Sequence, residues 1–172
     1  MGPGTPARKR NSQEDKEKTK PAQEMKLLLD TTVIIDVLRD RKGRRELLAD
    51  LLRTGHSLST SVLNVAEVYS GIRPGEEGLT EAFLGGLEEY ELGSQVARAA
   101  GKLRITWAKK GRTISLADAI VAAIAIDQRC ALLTDNRKNF PMPELRCILC
   151  PERAKASPFA ATKKGRGMNR RP

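Results

Sequence analysis

Short apolar runs alternate along the chain with longer segments in which apolar residues recur every three or four positions. Residues 26–30 and 131–134 are nearly continuous apolar runs, typical of parallel strands covered on both faces. Further short strands are predicted at residues 57–59 and 145–149. Helical periodicity begins at residue 31 and returns at residues 44–53, 61–71, 79–92, 95–110 and 116–128. This alternation predicts a three-layer α/β/α fold around a parallel sheet of about four to five short strands.

Four acidic residues stand at strand ends or beside apolar positions of helices. Asp30 and Asp135 each follow a predicted strand, Glu67 lies within a helix, and Asp118 falls in the first turn of another. Because working groups in open α/β sheets collect beyond the carboxyl ends of the strands, all four side chains are expected to point into one cleft. Buried carboxylates need partners, and Mg²⁺ or Mn²⁺ prefers oxygen ligands. The pattern therefore predicts a site for a hard divalent cation.

Each acid also has a structural interpretation. Asp118 follows Ser115 by three residues and would fit a helix cap, a role worth about 1 kcal/mol. Asp135 could belong to a turn, and Glu67 could be a solvated helix residue. Asp30 is the hardest to explain in this way, because it ends a run of three leucines.

Several other chemistries are excluded by the motifs that the sequence lacks. With one histidine, His56, the chain cannot use a two-histidine acid–base mechanism. It also contains no nucleophile elbow, no phosphate-binding P-loop and no glycine-rich dinucleotide turn. The acidic residues remain the main candidates for chemistry.

The positive charge of the chain lies mainly outside the segment that carries these patterns. The formal net charge is +10, but residues 25–150 hold 18 Lys and Arg against 16 Asp and Glu. Residues 1–24 and 151–172 are polar, basic and poor in large apolar side chains, so they cannot repay the entropy of ordering. The sequence predicts a disordered N-terminal extension, one domain over residues 25–150, and a disordered C-terminal tail.

The composition favours a cytoplasmic protein with no membrane partner. The first residues lack an apolar stretch, and the longest apolar run, residues 119–126, is too short to span a bilayer. The three cysteines give no disulfide framework and fit a reducing compartment.

Four segments, taken in order, resemble a known family. Residues 28–36 are LLDTTVIID, residues 64–71 are NVAEVYSG, residues 115–119 are SLADA, and residues 133–140 are LTDNRKNF. Together they resemble the PIN domain, and most closely its VapC toxin branch. The likeness covers about residues 25–149. Each motif is short, but four in this order and spacing form a specific pattern.

The resemblance implies a metal-dependent ribonuclease whose three core acids are Asp30, Glu67 and Asp118. It gives Thr32 the role of the small hydroxyl that follows the first Asp by two positions. The fourth acidic position is open: Asn136 occupies the usual register, and Asp135 lies one place earlier. Asp135 and Asn136 are therefore alternatives for one role.

The expected mechanism is phosphodiester hydrolysis with Mg²⁺ or Mn²⁺ held by Asp30, Asp118 and the fourth-position residue, and with Glu67 orienting the attacking water. RNA would be held by cations close to the motifs, namely Arg39, Arg73, Arg112, Arg137 and Lys138. The resemblance further implies a homodimer and a VapB-like antitoxin that occupies the cleft. Two alternatives stay open: a PIN nuclease of RNA processing or DNA repair, and a catalytically weak PIN fold that binds RNA or protein.

Overall fold

A central strand whose three leucines are fully buried organises residues 24–150, the part of the chain that the computed structural model describes. Strand β1 (Lys26–Leu29) pairs in parallel with β2 (Ser57–Ser61) on one side and with β4 (Ala131–Thr134) on the other. Strand β3 (Glu88–Tyr90) extends the sheet beyond β2, and β5 (Cys147–Leu149) extends it beyond β4. The five strands are all parallel, in the order β3-β2-β1-β4-β5.

Helices cover both faces of this sheet and give the predicted three layers. Within residues 24–150 they are α1 (Thr31–Leu38), α2 (Arg44–Arg53), α3 (Val62–Ser70), α4 (Glu77–Leu84), α5 (Ser94–Lys109) and α6 (Leu116–Asp127). Leu28 and Leu132 pack on the side of α5 and α6, whereas Leu27, Leu29 and Leu133 pack on the side of α1 and α2. Because successive strand residues point to opposite faces, the unbroken leucine runs fill both cores at once.

Serine caps set the starts of the two helices that carry further acids. The Ser61 hydroxyl accepts a hydrogen bond from the Asn64 N–H at 3.3 Å, and α3 begins there. The Ser115 hydroxyl accepts one from the Asp118 N–H at 2.9 Å, and α6 begins there. These caps place Asn64 and Asp118 in first helical turns at the carboxyl end of the sheet.

The prediction of one helix over residues 79–92 is wrong. Helix α4 ends at Leu84, the chain turns at Gly85 and Gly86, and β3 then pairs with β2. The two glycines weaken helix propagation, and Tyr90 buries its ring in the core from the sheet edge. Helical periodicity could not reveal this break, because the gain comes from pairing with a distant strand.

The ends of the domain are not tested by this fold. The two predicted tails lie outside the described residues, apart from Glu24, and their disorder stays a prediction. Among the described residues, the helices are too short or too polar for any of them to cross a membrane.

Candidate active site

Asp30 stands at the carboxyl end of the central strand, between the ends of its two neighbours. Its N–H donates to the Leu133 carbonyl at 3.0 Å, which extends the ladder between β1 and β4 by one bond. The residue occupies the N-cap position of α1, yet its side chain makes no capping hydrogen bond. The carboxylate is therefore available to side-chain hydroxyls from β4 and from α1.

Threonine hydroxyls hold the Asp30 carboxylate. Thr134, the last residue of β4, donates to Oδ2 at 2.6 Å, and Thr32 donates to the same oxygen at 3.3 Å. The Thr134 hydroxyl in turn accepts a hydrogen bond from the Asn136 N–H at 3.0 Å. Burial raises the pKa of Asp30; these hydrogen bonds offset part of the rise, and the neighbouring Asp118 carboxylate adds to it.

Asp118 serves as a cap and as part of the site at the same time. The Ser115 hydroxyl donates to Asp118 Oδ2 at 2.6 Å, in addition to accepting from its N–H. This is the capping arrangement that the spacing of the two residues suggested. The same carboxylate is nevertheless close enough to Asp30 to raise its pKa by charge repulsion. The two interpretations of Asp118 are compatible.

Glu67 reaches the site through a chain of hydrogen bonds between α3 and the start of α1. The Thr31 hydroxyl donates to Glu67 Oε2 at 2.5 Å and accepts from Asn64 Nδ2 at 2.8 Å. The Asn64 carbonyl oxygen accepts from the Ser61 hydroxyl. Glu67 is therefore fixed beside the residue that follows Asp30.

The roles of Thr31, Asn64 and Thr134 were missed by the sequence analysis. The position of Asn64, three residues before Glu67 on one helix face, was the available signal for its role. For Thr134 the only signal was its place at the end of a strand. Neither signal names the partner side chain.

Asp135 points to a different set of partners. Its Oδ1 accepts from Arg44 Nη2 at 2.5 Å, and its Oδ2 accepts from Lys42 Nζ at 2.8 Å. Lys42 also pairs with the buried Asp36 at 2.8 Å. Burial raises the pKa of Asp135, but hydrogen bonds from Lys42 and Arg44 outweigh this effect and the pKa is lowered. Both oxygens are thus engaged by cations that tie the α1–α2 connection to the end of β4.

The predicted RNA-binding cations divide into two groups. Arg39 donates to the Gly71 carbonyl at 2.9 Å and pairs with Glu76 at 3.4 Å. The backbone N–H of Arg73 and the Arg39 side chain lower the pKa of Glu76, so this acid keeps its charge beside them. Arg39 is therefore occupied by a local ion pair, whereas the Arg73 side chain is exposed.

The second group borders the acids. Arg112 donates to the Lys138 carbonyl at 2.8 Å, which brings the α5–α6 connection against the 3₁₀ turn Arg137–Asn139. That turn follows Asn136 directly, and Asn136 is bonded to Thr134. Arg112, Arg137 and Lys138 are exposed side chains in or beside this turn.

The donor groups suit a hard divalent cation. Asp30 and Asp118 offer carboxylate oxygens, which are the ligands that such ions prefer, and the two charges lie close enough to interact. Among residues 24–150, no three His, Cys, Asp or Glu side chains are arranged to hold a metal ion. The side chains as they stand therefore fit such an ion through a pair of carboxylates, with Glu67 engaged by Thr31 beside them.

Comparison with known proteins identifies the family of this chain. The PIN domain sequence profile matches residues 27–141. Over 120 residues the chain is 34% identical to "Ribonuclease VapC19" of Mycobacterium tuberculosis, covering 69% of this chain and 96% of that protein. It is 30% identical over 118 residues to "Ribonuclease VapC10" of the same organism, covering 69% and 88%. The chain belongs to the PIN domain family.

Solved structures agree on the fold. VapBC2 from Rickettsia felis, bound to a DNA fragment from its promoter, matches with a TM-score of 0.66 at 23% identity. The match covers 74% of this chain and 100% of the R. felis chain. The predicted α/β/α architecture is confirmed by this likeness and by the five parallel strands.

Replacing Asp30 with Asn should stabilise the metal-free protein at neutral pH. Because the folded pKa of Asp30 is raised, its contribution favours folding below the unfolded pKa and is lost as the pH rises through the folded value. Asn keeps an acceptor for Thr134 and carries no charge, so we expect a gain of about 1 kcal/mol. Urea unfolding in chelator at pH 7.5 measures it, and a variant less stable than wild type would contradict the argument.

Replacing Asp135 with Asn should destabilise the fold, because it removes the charge of the carboxylate that pairs with the buried Arg44. We expect a loss of about 3 kcal/mol at pH 7. The pKa of Asp135 is lowered, so its contribution is present above the unfolded pKa and disappears as the pH falls through the folded value. Urea unfolding measures the difference in unfolding free energy between wild type and variant, and this difference should be smaller in acid than at pH 7. The exposed Asp127→Asn is the control, and an equal loss there would refute the ion-pair explanation.

Proposed function

We propose that this protein is a VapC-type endoribonuclease, the toxin component of a toxin–antitoxin pair. The observation that supports the proposal is that the Asp118 charge acts on Asp30 at the end of the central strand, while Glu67 is hydrogen-bonded to Thr31, the residue that follows Asp30. The region matched in this chain corresponds to 96% of the relative named Ribonuclease VapC19 and to 88% of the relative named Ribonuclease VapC10. These names favour a toxin over a nuclease of RNA processing or repair.

The metal dependence is part of the proposal. Asp30 and Asp118 would hold Mg²⁺ or Mn²⁺, with Glu67 next to them. When bound, such an ion supplies positive charge that makes a water molecule acidic and neutralises the phosphate. Without a cation, the two carboxylates repel each other and would also repel RNA.

The surrounding residues have separate tasks. Thr134 and Thr32 fix the orientation of the Asp30 carboxylate, and the cap at Ser115 fixes that of Asp118. Glu67, held by Thr31, would orient the attacking water and accept its proton. For the fourth position we favour Asn136 over Asp135, because both oxygens of Asp135 are already paired with cations.

The substrate would be drawn to the cleft by the exposed cations Arg112, Arg137 and Lys138. Phosphates are attracted to Lys and Arg by a term that falls with salt and carries no sequence information. Arg39 contributes less, because it is paired with Glu76. Arg73 could contribute from the far end of α3.

A VapB-like antitoxin is the proposed partner, as in the R. felis VapBC2 structure. An apolar groove of about 430 Å³ lies between α1, α2 and α4. Two of its residues, Leu52 and Leu79, expose 55% and 51% of their surface. An amphipathic segment of the antitoxin would cover these leucines. The homodimer and the cytoplasmic location stay predictions, and light scattering would test the former.

A cleavage assay tests the catalytic proposal. Purified full-length chain should cut total RNA with Mg²⁺ or Mn²⁺ and lose activity in chelator. Asp30→Asn and Asp118→Asn should each lower the rate at least about 100-fold, because each removes a charged ligand. Mg²⁺ should also raise the melting temperature of wild type but not of Asp30→Asn.

The exposed Glu46→Gln should cleave like wild type. Cleavage that survives in chelator would refute the metal mechanism. Absence of cleavage with every ion, in protein shown to be free of antitoxin, would instead support the binding-module alternative.

Negative charge introduced into the apolar groove between α1, α2 and α4 tests whether the antitoxin binds there. Leu52→Glu combined with Leu79→Glu should abolish co-purification with a co-expressed VapB-like antitoxin, because burying two carboxylates costs several kcal/mol. RNA cleavage should be unchanged, since neither residue touches the acids. Ile105→Glu, which alters an α5 residue that is 60% exposed, is the matched control and should retain the antitoxin. Equal retention by both proteins would place the antitoxin elsewhere.

A further inference from the structure

A second groove, of about 410 Å³, lies between α5, α6 and residues 143–144. Leu103, Trp107 and Ile126 form its apolar part and pack partly against the core. Lys102 and Lys110 are among its lining residues, as are the acids Asp127 and Glu144. None of its residues takes part in the candidate active site.

Trp107 is the single tryptophan of the chain. It is half-buried, and the Lys110 ammonium lies 4.4 Å from the centre of its ring. This face of the ring is therefore covered by a flexible, exposed lysine side chain and not by core packing, so a base can reach the ring once the lysine moves aside to a phosphate. The groove thus combines an accessible aromatic surface with positive charge.

The charge along this part of the chain is strongly segregated. Residues 94–117 contain six Lys and Arg and no acidic residue: Arg98, Lys102, Arg104, Lys109, Lys110 and Arg112. The preceding residues 76–91 contain six Glu and no Lys or Arg. A polyanion would therefore be attracted to α5 and repelled by the segment of α4 and β3.

A path of four hydrogen bonds connects the groove to Asp30. The Arg112 N–H donates to the Trp107 carbonyl at 2.9 Å, and the Arg112 side chain donates to the Lys138 carbonyl at 2.8 Å. Lys138 lies in the turn that follows Asn136, and Asn136 is bonded to the threonine that holds Asp30. Positive charge therefore extends from the acid cleft to the end of α5.

We propose that this groove binds an unpaired nucleotide of the RNA, with its base stacked on Trp107 and its phosphates held by Lys102, Lys110 and Arg112. Stacking on an aromatic ring tolerates any base and needs a base that is free of its partner strand. The inference rests on the proposed ribonuclease function and deepens it: the substrate is single-stranded next to the cut. Trp107 is a binding residue and takes no part in the bond cleavage.

Tryptophan fluorescence reports on the groove directly, because the chain has one such residue. In chelator, a mixed-sequence single-stranded RNA of ten nucleotides should quench the emission of the full-length protein to saturation. The same RNA annealed to its complement should quench at least about tenfold more weakly at equal concentration. Inorganic phosphate alone should leave the emission unchanged.

Substitutions separate stacking from charge. Trp107→Ala should weaken RNA binding and raise KM about tenfold with little change in kcat, whereas Trp107→Phe should retain most of the affinity. Lys102→Gln combined with Lys110→Gln leaves the apolar packing intact, and should weaken binding and flatten its dependence on salt. Ile105→Ala, on the same helix, is the control. Circular dichroism confirms that each variant is folded.

The failure of this proposal and that of the ribonuclease function are distinguishable. Metal-dependent cleavage with no quenching, and with wild-type KM in the Trp107 and lysine variants, would overturn the groove assignment alone. Quenching by single-stranded RNA without any cleavage would support the groove and refute the nuclease function. Emission that follows protein concentration and the dimer mass, but not RNA, would make this face an interface between two copies and overturn the proposal.

Discussion

The carboxylate of Asp30 lies partly buried at the end of the central strand, and its desolvation constrains everything around it. Burial and the neighbouring Asp118 both disfavour its charged form. The fold offsets this with hydroxyl donors from Thr134 and Thr32, which come from the adjacent strand and the adjacent helix. A divalent cation would offset the rest. Stability and catalytic readiness therefore oppose each other at this residue.

The neighbouring acids meet the same constraint in different ways. Glu67 is satisfied by the Thr31 hydroxyl, and Asp118 by the cap at Ser115. Asp135 does not contribute to this repulsion, because Arg44 and Lys42 neutralise its charge. The chain thus keeps Asp118 close to Asp30, holds Glu67 on the threonine that follows Asp30, and moves the fourth carboxylate into an ion pair that supports the α1–α2 connection.

The elements whose structure follows from a local pattern of residues were predictable from the sequence. The leucine run of β1 and the apolar run of β4 predicted the two strands at the centre of the sheet. The position of Asp30 directly after the leucine run predicted that it would lie at the carboxyl end of the sheet. Strand β3 was not predictable, because its sequence Glu-Glu-Tyr becomes a strand only by pairing with Ser59, Thr60 and Ser61. The partners of Asp135 lie more than 90 positions away, 93 for Lys42 and 91 for Arg44, so local patterns did not indicate them.

The separation of six glutamates from six basic residues gives two successive segments of the chain opposite net charge. A polyanion approaching through solvent would turn the protein before touching it, so that encounters begin with one preferred orientation. Added ions shorten the reach of that torque to about 8 Å at physiological strength. The frequency of productive collisions, and not only their lifetime, would then depend on the ionic composition of the surroundings.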